Sequence, residues 1–263
     1  MRIGKRGAAT TAISAARADG ISVRGKDLAR DLMGRASFTE FFFLLAAGHM
    51  PSDAQRDFLD MSLVAIAEHG LTPSVQAARM TYAADPAALQ GAVAAGVLGC
   101  GTVILGAARL CGDLLRDLLA RCDAGASLHE AALAVAREHR EAKRAIPGFG
   151  HPLHKPTDPR ARTMIAEAEA RGVAGRAVAA AGALEAAIAE VWGKPLPMNV
   201  SMSIAATLAD LDVPDAIING VPILARTAGL IAHLGEEAQT PIGFLLAAAG
   251  EAAIAHTASF EED

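Results

Sequence analysis

Four groups of side chains in this chain have the chemistry to act on a small charged molecule. The first is the loop Pro147-Gly-Phe-Gly-His151-Pro-Leu-His154-Lys155. Gly148 and Gly150 leave the backbone around Phe149 open to close approach, because glycine has no Cβ. His151 follows directly, and imidazole is the side chain suited to exchanging protons near neutral pH. Lys155, Arg160 and Arg162 supply positive charge nearby. The second is His69, in Ala67-Glu-His-Gly70, and the third is Arg226, set in an otherwise apolar stretch, 223–230. A guanidinium on such a face needs a buried carboxylate or an anionic ligand. The fourth is Pro197-Met-Asn199-Val-Ser201, where a loop feeds a helix. Each group has a plainer reading: a Gly/Pro/His loop can be only a turn, and His69 and His233 can simply close helices near their negative ends.

Helices must position these groups. Of 263 residues, 52% are hydrophobic and only 4% aromatic, and alanine dominates, a balance that favours packed helices over strands. Ser37-Phe-Thr-Glu40, Ser52-Asp-Ala-Gln55 and Ser127-Leu-His-Glu130 fit the reciprocal capping box. Gly48 and Gly70 stand where left-handed helix ends are expected. Apolar residues recur at three- and four-residue intervals through 38–45 and 58–66, and no run alternates with period two. Further helices are expected over 127–143, 159–170 (with Asp158 as N-cap), 173–192, 200–211 and 220–234. The Gly/Ala-rich stretch 86–108 is read as a fully buried helix pair, at a subunit interface, rather than a membrane span. The expectation is an all-α fold: one unit over 1–263, large and helical, with a smaller helical lobe over about 145–220.

A net charge of -5 argues against a nucleic-acid partner. Cys100, Cys111 and Cys122, eleven residues apart, lack metal-ligand spacing and read as free thiols in a reducing compartment. No apolar core follows the basic N-terminus as a signal peptide requires, so a cytoplasmic protein is expected. No metal motif, phosphate loop, dinucleotide fingerprint or nucleophile elbow is present. Neither a metal nor a tightly bound cofactor is expected.

In order along the chain, Thr11-Ala-Ile-Ser14 with Val23-Arg-Gly-Lys-Asp27, Ser37–Gly48, Glu68-His-Gly-Leu-Thr-Pro-Ser74, Gly148-Phe-Gly-His151 with Asp158-Pro-Arg-Ala161, Pro197-Met-Asn-Val200 and Ala225-Arg-Thr-Ala-Gly-Leu-Ile-Ala-His233 resemble the citrate synthase superfamily. The short chain is most similar to its citryl-CoA lyase branch, akin to the lyase module of ATP-citrate lyase. That resemblance implies a two-lobed helical homodimer that cleaves the carbon–carbon bond of citryl-CoA, or a related hydroxyacyl-CoA bearing carboxylates, to acetyl-CoA and oxaloacetate. It implies that His151 takes the substrate's hydroxyl proton, that His69, Arg160, Arg226 and Asn199 hold the carboxylate-bearing half, and that Gly148, Phe149, Gly150 and Lys155 contact the coenzyme A thioester, which is substrate and not cofactor. Three positions depart from the family pattern. Ile104 aligns with the histidine that binds the thioester enol, Ser201 with the aspartate that moves the acetyl proton, and Pro152 with an arginine; the arginine expected after Gly243 is also missing. Ser201 stays in the expected catalytic pair with His151, although a hydroxyl needs an activating partner to act as a base. The alternatives are a citrate or methylcitrate synthase-type acyltransferase and a non-catalytic carboxylate-binding homologue.

Overall fold

The computed structural model describes residues 9–101, 106–151 and 153–257. The expected contributions of Ile104 and Pro152 therefore lie outside the described residues. The chain opens with a three-stranded antiparallel meander, β1 (Ser14–Arg17), β2 (Gly20–Val23) and β3 (Lys26–Asp27), which a purely helical expectation had not included. These strands are too short to show a period. A π-helical turn, Leu28–Leu32, follows, and then, among the described residues, eleven α-helices: α1 (Phe38–Ala47), α2 (Asp53–Ala67), α3 (Pro73–Ala84), α4 (Leu89–Leu98), α5 (Ala107–Asp123), α6 (Leu128–Glu141), α7 (Pro159–Ala170), α8 (Arg176–Trp192), α9 (Val200–Asp210), α10 (Asp215–Gln239) and α11 (Gly243–Ala253).

All three capping boxes form, at Ser37/Glu40, Ser52/Gln55 and Ser127/Glu130. Asp158 caps α7 with Pro159 in its first turn, as its sequence requires. Three boundaries and the burial of one helix differ from expectation. Helix α2 stops at Ala67 and not at Gly70, because Glu68 is extended (φ -133°, ψ 144°) and its carboxylate takes the N–H groups of His69 and Gly70. Helix α8 begins at Arg176, where the Asp210 carboxylate receives the N–H groups of Gly175, Ala177 and Val178 from 32 to 35 residues away. Helix α10 starts at Asp215, runs through Pro222 and continues to Gln239, so His233 lies inside it and does not close it. Helix α4 is mostly surface: only Ala92 and Gly96 are buried, so the expected fully buried pair is not what forms among the described residues.

Helix α9 is the axis of the molecule. Eight of its eleven residues are buried, and a helix that is apolar nearly all round belongs in an interior. The hydroxyls of Ser203 and Thr207 bond back to the carbonyls of Val200 and Ser203, so their burial leaves no orphan. One side of α9 packs with α5, α6 and α8 through Cys111, Leu115, Leu118, Val135, Leu184, Ile188 and Met202. The other packs with α2, α7 and α10 through Phe58, Leu59, Met164, Ile204, Leu208 and Val221. The N-terminus of α9 thus emerges between two cores. The three cysteines are free thiols; Cys111 is fully buried, and burial pushes its thiol up to about 12. Helix α10 is long and apolar enough to cross a membrane by length and hydropathy, but half of that stretch is buried against other helices.

Candidate functional site

At the N-terminus of α9 is a cavity of about 350 Å³. His69, His151, Arg160, Asn199, Ser201 and Arg226 line it, with Gly150, Ile66, Ile204 and Pro222 completing the wall. Residues from the α2–α3 turn, the loop before α7, α7 itself, α9 and α10 meet there, so the expected histidines and arginines share one cleft.

The loop carrying His151 is fixed by a two-residue antiparallel bridge. Phe149 pairs with Met198, Gly150 N–H donates to the Pro197 carbonyl at 2.7 Å, and Asn199 N–H donates to the Gly148 carbonyl at 2.9 Å. Gly148 has φ +84°, and a Cβ there would lie 2.6 Å from Met202 Cβ and 2.7 Å from Cys111 Sγ. Phe149 is buried in the α5–α6–α8–α9 core. Gly148 and Phe149 are therefore anchors of the loop, and neither lines the cavity. Lys155 is exposed and outside the cavity wall; of the four residues expected to contact coenzyme A, Gly150 alone faces it. Asn199 lines the cavity and also clasps the loop, its Oδ1 accepting from Ser201 N–H and its Nδ2 donating one of its two hydrogens to the Gly150 carbonyl.

His151 Nδ1 accepts two backbone N–H groups, from Leu153 at 3.1 Å and His154 at 3.0 Å. In the neutral ring the proton then sits on Nε2, leaving Nε2–H to donate to a ligand. The His69 Nε2 is buried with no hydrogen-bond partner. Burial, reinforced by neighbouring positive charge from Arg160 and His154, holds both imidazoles below their ordinary range, so they are neutral at neutral pH.

The two arginines differ. Arg160 is clamped by Asp158, with Nε–Oδ1 at 3.0 Å and Nη2–Oδ2 at 2.8 Å, and the fully buried Asp158 also accepts Val200 N–H at 3.1 Å. Those bonds outweigh burial and keep the Asp158 carboxyl below the usual range. Arg226 is 6% exposed, and its Nε and Nη1 are buried without a partner. An unmatched buried guanidinium facing a cavity is a site for an anion.

His69, His151 and His154 bring ring nitrogens within 4.8 Å of one another, spacing that could hold a metal ion. The field opposes it: the guanidiniums that disfavour protonation of His69 also penalise a divalent cation, and His151 Nδ1 is already committed. Among the described residues, Ser201 Oγ has no hydrogen-bond partner and no carboxylate lines the cavity. Sequence reading missed two parts of this site. Asp158 is more than a helix cap, and Glu68 bonds His233 at 2.9 Å, so His233 is a tether rather than a helix closer. A signal for the second was present: Arg226 and His233 are seven residues apart, on one face of α10.

This architecture matches known proteins over nearly its whole length. The model of the family described as "Citrate synthase, C-terminal domain" matches residues 8–243. Citryl-CoA lyase from Hydrogenobacter thermophilus superposes with a TM-score of 0.83 at 28% identity, over 97% of each chain. ATP citrate lyase from Methanothrix soehngenii, solved with citrate and coenzyme A, superposes at 0.75 over 90% of this chain and 40% of its own; at 21% identity it speaks to the fold alone. Citrate synthase from Haloferax volcanii is 27% identical over 203 residues, 74% of this chain and 50% of the relative. The chain thus spans about half the length of that curated relative. By the extent of the family match, by its fold and by the residues gathered around its cavity, this chain belongs to the citrate synthase family.

Proposed function

We propose that the protein is a carbon–carbon bond lyase that cleaves a carboxylate-bearing hydroxyacyl-CoA, citryl-CoA first among them, to acetyl-CoA and oxaloacetate. The observation that carries this reading is the buried, unpartnered Arg226 facing two neutral imidazoles across one cavity. Arg226 receives a substrate carboxylate through Nε and Nη1, and the Asp158-braced Arg160 receives a second. His151 donates from Nε2 to the oxygen on the carbon whose bond breaks. That tautomer revises the expectation that His151 itself withdraws the hydroxyl proton. His69, with a free Nε2 beside it, is the ring able to accept that proton, and the rings stand 5.4 Å apart by centroid; the electron pair of the broken bond passes to the thioester as its enolate, which takes one proton from solvent to become acetyl-CoA while His69 returns its proton to solvent.

Coenzyme A enters as substrate, with no tightly held cofactor. Condensation in the synthase manner is less well supported, since it needs a base at the thioester methyl and no carboxylate lines the described cavity. The same lack supports a second reading, a homologue that binds carboxylates without turnover. We also propose a homodimer, on the support of the exposed Leu98, Ile231, Phe244 and Leu245 on α4, α10 and α11. A smaller lobe over about 145–220 and a cytoplasmic setting, with no nucleic-acid or membrane partner, complete the proposal.

The test is incubation with citryl-CoA and related hydroxyacyl-CoAs, with products analysed by mass spectrometry. Cleavage that disappears in His151→Ala supports the lyase. Equal cleavage in that variant overturns it, and calorimetric binding of oxaloacetate with no turnover on any thioester favours the binding homologue.

A further inference from the structure

His69 sits in a turn that has left its helix, so something other than the α2 hydrogen-bond ladder must hold it. Glu68 does this directly: its Oε1 accepts the N–H groups of His69 at 2.8 Å and Gly70 at 2.6 Å. Its Oε2 meets His233 Nε2 on α10 at 2.9 Å. Behind His233, Arg79 of α3 directs Nη1 at the ring's Nδ1 at 3.5 Å. A ring nitrogen facing a guanidinium N–H must accept, so the His233 proton is on Nε2 and is donated to Glu68. Arg79 is itself held by Glu237 at 2.6 Å and Glu236 at 2.7 Å, and the Arg79 and Glu237 side chains are almost wholly buried. Gly229, between Arg226 and His233 on the same face, lets the strap pass: a Cβ there would be 3.2 Å from Glu68 Oε2 and 2.1 Å from the Ala67 carbonyl.

We infer that Arg79, His233 and Glu68 form a positioning relay that sets where His69 stands relative to Arg226. The relay rests on the lyase reading only in that His69 touches the substrate. It gives α10 two duties on one face, holding the substrate carboxylate at Arg226 and holding the partner imidazole through His233. A change at either end then alters the other's geometry. By analogy with the hydrogen-bond partners that orient metal-binding histidines, the relay should change activity about 10- to 100-fold.

A double-mutant cycle tests it. His233→Ala should lower kcat/KM for citryl-CoA about 10- to 100-fold, chiefly through kcat, and His233→Gln, whose amide can still donate to Glu68, should recover most of the loss. In a His69→Ala background, removing His233 should cost less than about twofold, because the relay then has nothing to position. An equal loss in both backgrounds would overturn the relay and leave His233 a general structural residue. Labelled His69 followed by NMR in the ligand-free protein separates this from the lyase proposal. A His69 signal that moves in His233→Ala, in a protein that cleaves nothing, keeps the relay and removes the lyase; a His69 signal that does not move overturns the relay whatever the activity. Glu68→Gln repeats the cycle if His233→Ala does not fold.

Discussion

Replacing Arg226 with methionine should strengthen the empty protein and ruin it for its ligand. Two guanidinium nitrogens, Nε and Nη1, are buried without partners, and an unmade hydrogen bond of a buried donor costs about 1–3 kcal/mol. A cavity of about 350 Å³, mostly apolar but with several polar groups in its wall, has room for water to relieve part of that cost, which leaves a net strain of about 1 kcal/mol. Methionine fills a similar volume without charge, so Arg226→Met should raise the ligand-free Tm by about 2–4 °C for a chain of this size. The same two nitrogens should make hydrogen bonds to a carboxylate worth about 1.5–3 kcal/mol each. Losing both should weaken oxaloacetate binding by about 10²–10⁴-fold, at 1.4 kcal/mol per factor of ten. Differential scanning calorimetry of the empty protein and titration calorimetry with oxaloacetate measure the two halves separately. A Tm that falls by several degrees, or binding weakened less than tenfold, would refute the idea that Arg226 is held in reserve for an anion.

Two further outcomes follow from the same geometry. Gly229→Ala places a methyl group 2.1 Å from the Ala67 carbonyl, so it should cost about 1–3 kcal/mol in denaturant unfolding and displace His69; a neutral substitution would show that α2 and α10 are not in close contact there. His69 and His151 titrate below their ordinary range. Unfolded histidines bind protons from about pH 6.5 downward while the folded ones resist, so stability should be lost as pH falls through and below about 6.5. The acid limb of kcat/KM should likewise lie below pH 6.5, and a limb above it in the pH–rate profile would contradict the charge arrangement.

Most of this architecture could be read from local chemistry. The serine caps, Asp158 with Pro159, and the three- and four-residue apolar spacing are short-range signals, and the helices they mark form where expected. What could not be read depends on partners distant in the chain. Asp210 reaches back 35 residues to start α8, and Glu237 reaches 158 residues to Arg79. Histidines and arginines were recognisable as ligand groups by type and by resemblance, and four of them do line the cavity. The structural commitments of their neighbours were not recognisable: Asn199 lines the cavity and also clasps the loop, and Gly148 and Phe149 pack into the core. Glycine spacing alone does not distinguish approach by a ligand from approach by a neighbouring side chain.

The bridge between Phe149 and Met198 has a consequence for how the protein is made. It joins stretches some fifty residues apart, with α7 and α8 lying between them in the chain. Bringing such distant segments together costs chain entropy that only the finished core repays. Helix content alone therefore does not report a competent site, because the His151 loop is anchored by a contact between segments distant in the chain.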